Sequence, residues 1–142
     1  MAEISLRKAR TIIKGTLAKG REMELNPLTV VLLDTGGNVK AVEREDGAAP
    51  GRFQIAYGKA YGVVMTGMTG SAQMARAEQQ PYFVNALNGL YDGRFIAVPG
   101  GILIRDARGN VMGALGVTGD TSDNDAAAGV AGIEGANLKA EA

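Results

Sequence analysis

The stretch from Pro99 to Gly119, PGGILIRDARGNVMGALGVTG, restricts what this chain can fold into more than any other. Ile102 to Asp106 and Val111 to Val117 are rich in branched apolar residues and bounded by turn formers, the local signature of paired strands. Between them, Asp106-Ala107-Arg108-Gly109-Asn110 offers a side chain able to hydrogen-bond its own backbone and a glycine able to take positive φ, as a short bulged hairpin loop requires. Gly113 and Gly116 fall inside the second strand, where glycine weakens the element and marks a bulge or a close approach by another backbone or a ligand. Strict alternation puts Val111, Gly113, Leu115 and Val117 on one face, and Met112, Ala114, Gly116 and Thr118 on the other. One face is bulky and the other small. The small face therefore receives either a closely packed helix or a ligand or subunit contact.

A chain of 142 residues is expected to form one domain, residues 1–142, around a single core. Lys+Arg and Asp+Glu both number 15, so no overall field attracts a polyanion, and no basic run is interleaved with aromatics. Nucleic acid is not an expected partner. The start, MAEISLRKAR, lacks an apolar core of signal-peptide length, and no run approaches the ~20 apolar residues that span a bilayer, so a soluble, cytoplasmic protein without membrane association is expected. Cysteine is absent, which removes disulfides, thiolate chemistry and cysteine metal sites. Histidine is absent too, and with it the commonest general acid/base, the commonest transition-metal ligand and the usual proximal ligand of haem. Chemistry is left to carboxylates, lysine, arginine, tyrosine, hydroxyls and backbone groups.

Ser5 followed by Leu6, Ala9, Ile13 and Leu17, with charges between them, predicts an amphipathic helix to about Met23. Asn26-Pro27 breaks it, and Leu28 to Leu33 reads as a strand buried on both faces. Asp34 to Asn38 turns the chain into a second strand, Val39 to Glu43, with the same Asp-x-x-Gly-Asn-Val skeleton that recurs at Asp106 to Val111. This is one turn chemistry used twice rather than a duplicated domain. The cluster Glu43-Arg44-Glu45-Asp46, ahead of Gly47, is either a solvated loop or, from its place at a strand end, part of a site.

Phe53, Ala56, Ala60 and Val63/Val64 give helical spacing from Gly51 to Thr66, with Tyr57 and Tyr61 on one side and Lys59 on another. Lys59 either snorkels from a packed face or meets an anion or carboxylate. Ser71 is the expected cap of a following helix, Tyr82 to Leu90 a short further one, and Phe95 to Val98 a third strand. Asp123 or Asn124 is expected to cap a last helix from about Asp125 to Lys139, whose Gly129, Gly132 and Gly135 suggest close packing. The order is helix, two strands, helices, three strands, helix, which makes an α+β sandwich of an antiparallel sheet covered by helices.

Three segments, PLTVVLLDTGGNVKAVEREDGA, IAYGKAYGVVMTGMT and VPGGILIRDARGNVMGALGVTGDTSDND, in this order and spacing resemble the GlcG/HbpS-like family, which includes the C-terminal domains of PduO-type corrinoid adenosyltransferases. The resemblance implies a profilin-like or PAS-like fold, with a five-stranded antiparallel sheet flanked by helices, and assembly into tetramers or octamers. It implies haem binding or slow haem degradation, a link to cobalamin metabolism, or a place in a catabolic operon. By position, Arg44, Asp46 and Gly47 match the family's Arg-x-Asp-Gly segment, Lys59 its helical lysine, and Pro99 to Gly101 and Gly116 to Asp125 its glycine-rich loops and acidic residue. Lacking histidine, this chain would have to ligate iron through oxygen, lysine or methionine.

Three readings of function stay open. In the first, an oligomer holds a tetrapyrrole or another planar carboxylate, with Arg44 or Lys59 pairing its acid groups, Gly47, Gly100, Gly101, Gly116 and Asp125 around it, and the cofactor undetermined. Methionines and tyrosines would line that pocket, or else form core. In the second, a cofactor-independent lyase, isomerase or tautomerase acts on a small organic acid. There Arg44 or Lys59 holds the carboxylate, Gly100 and Gly101 stabilise an oxyanion, and Asp46, Glu45 or Tyr61 moves a proton. The third is an oligomeric accessory protein without a ligand.

Overall fold

The computed structural model describes residues 3–142. Helix α1 (Leu6–Glu22) starts where the Ser5 hydroxyl accepts the N–H of Lys8 at 3.1 Å, and it ends with Lys19 and Arg21 against the negative end of its dipole. Strand β1 (Thr29–Leu33) is buried along its whole length. The Asp34 carboxylate then accepts the N–H groups of Gly36 and Asn38, each at 2.9 Å, and turns the chain into β2 (Val39–Arg44). Asp106 does the same for Arg108 and Asn110, each at 2.9 Å, between β3 (Gly101–Arg105) and β4 (Val111–Thr118). The repeated sequence skeleton is a repeated Asx turn.

Helices α2 (Arg52–Thr66), α3 (Gly70–Gln79) and α4 (Pro81–Leu90) lie between the two hairpins, and α5 (Ser122–Gly135) and β5 (Lys139–Glu141) follow the second. The strands form one antiparallel sheet in the order β2-β1-β4-β3-β5. On one face α1 and α5 cover Val30, Leu32, Ile102, Ile104, Leu115 and Val117, and on the other α2 brings Ala56, Ala60 and Val63 onto Val31, Leu33, Leu103 and Ala114. The expected α+β fold with a five-stranded antiparallel sheet is the one observed. Among the described residues no helix is long and apolar enough to cross a membrane.

The small face of β4 receives a helix. A methyl group on Gly116 would drive into the Ala56 carbonyl, so α2 lies on the strand at backbone distance. In α5, Gly129 sits over Ile102, Leu115 and Val117, and Gly132 meets Gly15 where α5 crosses α1, whereas Gly135 faces open space.

The chain departs from expectation at four places. Phe95 to Val98 forms no strand; it lies along α2, with Phe95 and Ile96 filling the space left by Gly62 and Gly58 and the Ile96 N–H reaching the Gly58 carbonyl at 3.3 Å. The fifth strand is Lys139–Glu141, so the last helix stops at Gly135 rather than Lys139. Helix caps come from hydroxyls two or three residues earlier than expected: Thr69 rather than Ser71 for α3, and Thr121 rather than Asp123 or Asn124 for α5, each accepting an N–H three residues on at 3.2 Å. Finally, Ile104 pairs with Gly113 but Arg105 with Val111, so Met112 is a bulged residue. The bulge moves Val111 to the α2 side and Met112 to the α1/α5 side.

Candidate functional site

Five of the residues singled out in the sequence meet in the interior. Lys59 leaves the flank of α2 with only 2% of its surface exposed, and its ammonium donates to the Val117 carbonyl at 2.8 Å and to the Asp125 carboxylate at 3.2 Å. Asp125, 1% exposed, uses its other oxygen to accept the Asp120 N–H at 2.9 Å. Gly100, at φ +108, closes over the ammonium: a Cβ there would stand 2.8 Å from Lys59 Nζ. Gly101 passes against the Lys59 carbonyl and Gly116 under Ala56. Burial pushes Lys59 below the ordinary lysine value, against the pull of the Asp125 charge and hydrogen bond.

The charged loop after β2 divides. Glu45 turns inward, accepting the Leu28 N–H at 2.7 Å and pairing with Arg21. Asp46 and Gly47 are exposed, Gly47 at φ +87 beside Pro27. Arg44 bends back so that its Nη1 donates to the Ala48 carbonyl at 2.7 Å. Tyr61 lies apart from all of these, near the other end of α2, against Gly37 of the β1–β2 turn.

Arg44 and Tyr61 are nonetheless connected by a surface. Helix α2 packs over β1, β4 and β3, but among the described residues no helix packs on β2 from that side. The result is an open trough. Its floor is Val39, 49% exposed, with Val42 and Arg44, and its wall is Phe53, Tyr57 and Tyr61 at successive turns of α2. Ring centroids are 6.0 Å apart from Phe53 to Tyr57 and 5.4 Å from Tyr57 to Tyr61, and the row continues through Tyr91 at 5.9 Å to Phe95 at 6.4 Å. From Phe53 to Tyr61 the wall runs roughly 12 Å at the helical rise.

Over its far end the Arg94 guanidinium stands 4.2 Å above the Tyr61 ring and donates to the Tyr57 hydroxyl at 3.5 Å, a hydrogen bond that holds the guanidinium above its ordinary value. Its carboxylate neighbour, Asp92, is at 3.8 Å on the surface. Arg94 and Phe53 were not singled out as site residues in the sequence. The aromatic spacing at 53, 57 and 61 was the available signal, but nothing local marked Arg94, which reaches α2 only through the strap that follows α4.

Elsewhere, a polar recess of about 370 Å³ opens at the start of α1, lined by Ser5, Arg7, Lys8 and Thr11. None of the predicted site residues lines it. Among the described residues no three His, Cys, Asp or Glu side chains gather as a metal site.

Residues 4–134 match the family described as haem degrading protein HbpS-like. Solved structures share the fold. PduOC in a complex with heme superposes with a TM-score of 0.85 at 18% identity, covering 96% of each chain. Klebsiella pneumoniae ORFY gives 0.81 at 23% identity, over 94% of this chain and 90% of that one. HbpS gives 0.80 at 23%, over 94% and 90%, and a double mutant of the Streptomyces reticuli HbpS gives 0.80 as well. No curated protein matches the chain in sequence.

Proposed function

The chain belongs to the HbpS-like family, and from that membership we propose that it is a small-molecule-binding protein whose ligand, a tetrapyrrole such as haem or a corrinoid or another planar carboxylate, lies in the trough between β2 and α2. The observation that carries this reading is the aromatic wall of Phe53, Tyr57 and Tyr61 with an arginine at each end, Arg44 and Arg94. A flat π-system stacks on tyrosine and phenylalanine rings, and guanidinium forks take carboxylates in two parallel hydrogen bonds. The heme complex of PduOC, a protein of the same fold, supports the choice of ligand class.

The residues present suit the macrocycle and its acid groups, not an axial imidazole or thiolate, since histidine and cysteine are absent. Holding therefore falls to stacking and ion pairing. Lys59 contributes to neither in this reading, because its ammonium is enclosed with Asp125, and Gly100, Gly101 and Gly116 act through close packing. Assembly as a cytoplasmic tetramer or octamer belongs to the same proposal, the trough being open along the β2 edge.

The test is native mass spectrometry with visible absorption on purified protein before and after haemin and cobalamin. A stoichiometric complex with a shifted Soret or corrin band, weakened by Arg44→Ala or Arg94→Ala and unaffected by changes at Asp46, is expected. A colourless protein that ignores both compounds would reject the tetrapyrrole. Turnover of a small organic acid by that colourless protein would move the assignment to the lyase, isomerase or tautomerase class.

A further inference from the structure

We propose that the Arg44 end of the trough is a carboxylate subsite, built from the Arg44 and Arg52 guanidiniums, the first turn of α2 and the Thr29 and Thr118 hydroxyls; it rests on the reading of the trough above and names its polar anchor. Thr29 pairs with Arg44 on one side and Thr118 on the other, so the three side chains form one cross-strand row on the α2 side of the sheet. Arg52, the first residue of α2, donates from Nη1 to the Thr118 hydroxyl at 2.9 Å. Arg44 reaches the loop entering the same helix through the Ala48 carbonyl. Two guanidiniums thus flank one helix start, and among the described residues neither forms an ion pair.

The helix start is open beyond its first residue. The Arg52 N–H is taken by the Ala49 carbonyl at 3.1 Å, but Gly51 supplies no side-chain cap and the first turn of this 15-residue helix carries no acidic residue, leaving the next N–H groups and the positive dipole end available. Thr29 gives an independent indication. It is fully buried at the base of the row, and its hydroxyl has no hydrogen-bond partner. A buried hydroxyl is rarely left so, and the register directs this one toward the underside of α2's first turn, between Arg44 and Thr118. A planar carboxylate can accept from a guanidinium fork with one edge and from hydroxyl and backbone donors with its remaining lone pairs. The ring system attached to it would then run along Phe53 and Tyr57.

The experiment is a titration of the isotope-labelled full chain with benzoate, and separately with inorganic phosphate, followed by amide chemical shifts. Benzoate is expected to give saturable shifts at Arg52, Phe53 and Gln54, with phosphate weaker. Arg52→Gln should lower benzoate affinity about 10-fold, the loss of one charge-assisted hydrogen bond. Thr29→Val, close in volume, should lower it several-fold with the rest of the spectrum unchanged, while Arg10→Gln on the exposed face of α1 leaves it as it was. No shift in the first turn of α2, or equal affinity in Arg52→Gln and the parent chain, overturns the subsite; phosphate binding more tightly than benzoate overturns its assignment to carboxylates. Benzoate bound while haemin is ignored keeps the subsite and rejects the tetrapyrrole. Haemin bound with no response to benzoate keeps the trough and rejects the subsite.

Discussion

Replacing Lys59 by methionine removes one half of a charge pair that is almost wholly excluded from water. The substitution keeps the length and apolar stem of the side chain, so packing against Gly100 changes little, but the Asp125 carboxylate is left buried with only the Asp120 N–H as a hydrogen-bond partner. An uncompensated buried charge of this kind costs about 3–5 kcal/mol, a third or more of the ~5–15 kcal/mol that holds a typical domain folded. The Val117 carbonyl loses a donor as well. In the double variant Lys59→Met/Asp125→Asn no charge remains, and the amide oxygen still accepts from Asp120, so most of the loss should return and leave about 1–2 kcal/mol. Urea unfolding of the parent, both single variants and the double variant gives the four corners of a cycle, with the coupling, the two single losses less that of the double, expected at about 2 kcal/mol or more and a constant m-value. A cost below about 1 kcal/mol for Lys59→Met, or strict additivity in the double variant, would show that the pair does not hold the interior as described. Haemin affinity of folded Lys59→Met, measured in the cold where it is populated, should equal that of the parent.

At Gly116 a methyl group meets backbone on the α2 side, which cannot yield as a side chain would, so Gly116→Ala should cost at least about 3 kcal/mol in the same unfolding assay. Gly51→Ala, with open space around it and an ordinary helical φ, should stay within about 0.5 kcal/mol. On the acid side, Asp106 is held below its ordinary 3.8 by the Asn110 amide and by backbone N–H groups, and Asp34 is lowered too, its slight burial outweighed by Asn38, Gly36 and Lys40. For both, the unfolded chain binds the proton more readily, so the stabilisation is present above pH 3.8 and is lost as pH falls through the folded value; Asp106→Ala should flatten that limb of a pH–stability curve. Arg94→Ala, which removes a cation over a ring, should weaken haemin by about 10-fold, while an unchanged affinity would place the ligand elsewhere.

Much of this architecture is legible along the chain because it repeats at short range. The Asp-x-x-Gly-Asn-Val turns, the apolar run of β1 and the 53-56-60-63 spacing of α2 each carry their own signal, and the small face of β4 announces a close neighbour. Phe95 to Val98 misleads because branched apolar residues also suit an extended segment laid into a glycine groove, and that groove, Gly58 and Gly62, belongs to another element. The strand Lys139–Glu141 has no apolar pattern, since it is three residues on a sheet edge. Lys59 and Asp125 stand out separately, yet 66 positions separate them and only the fold shows that they satisfy each other. The trough is the least legible part: it exists because α2 leaves β2 uncovered, a fact of helix placement rather than of any residue pattern.

The chain has no tryptophan and four tyrosines, so its near-ultraviolet emission comes from tyrosine alone. Three of those, Tyr57, Tyr61 and Tyr91, form one row of ring contacts, tilted from Tyr57 to Tyr61 and edge-on from Tyr61 to Tyr91, while the fourth, Tyr82, is 69% exposed on α4. The unmodified protein is therefore its own fluorescent indicator. A coloured guest lying on that row would quench the three tyrosines beside it most strongly, so its binding can be followed as a loss of tyrosine emission.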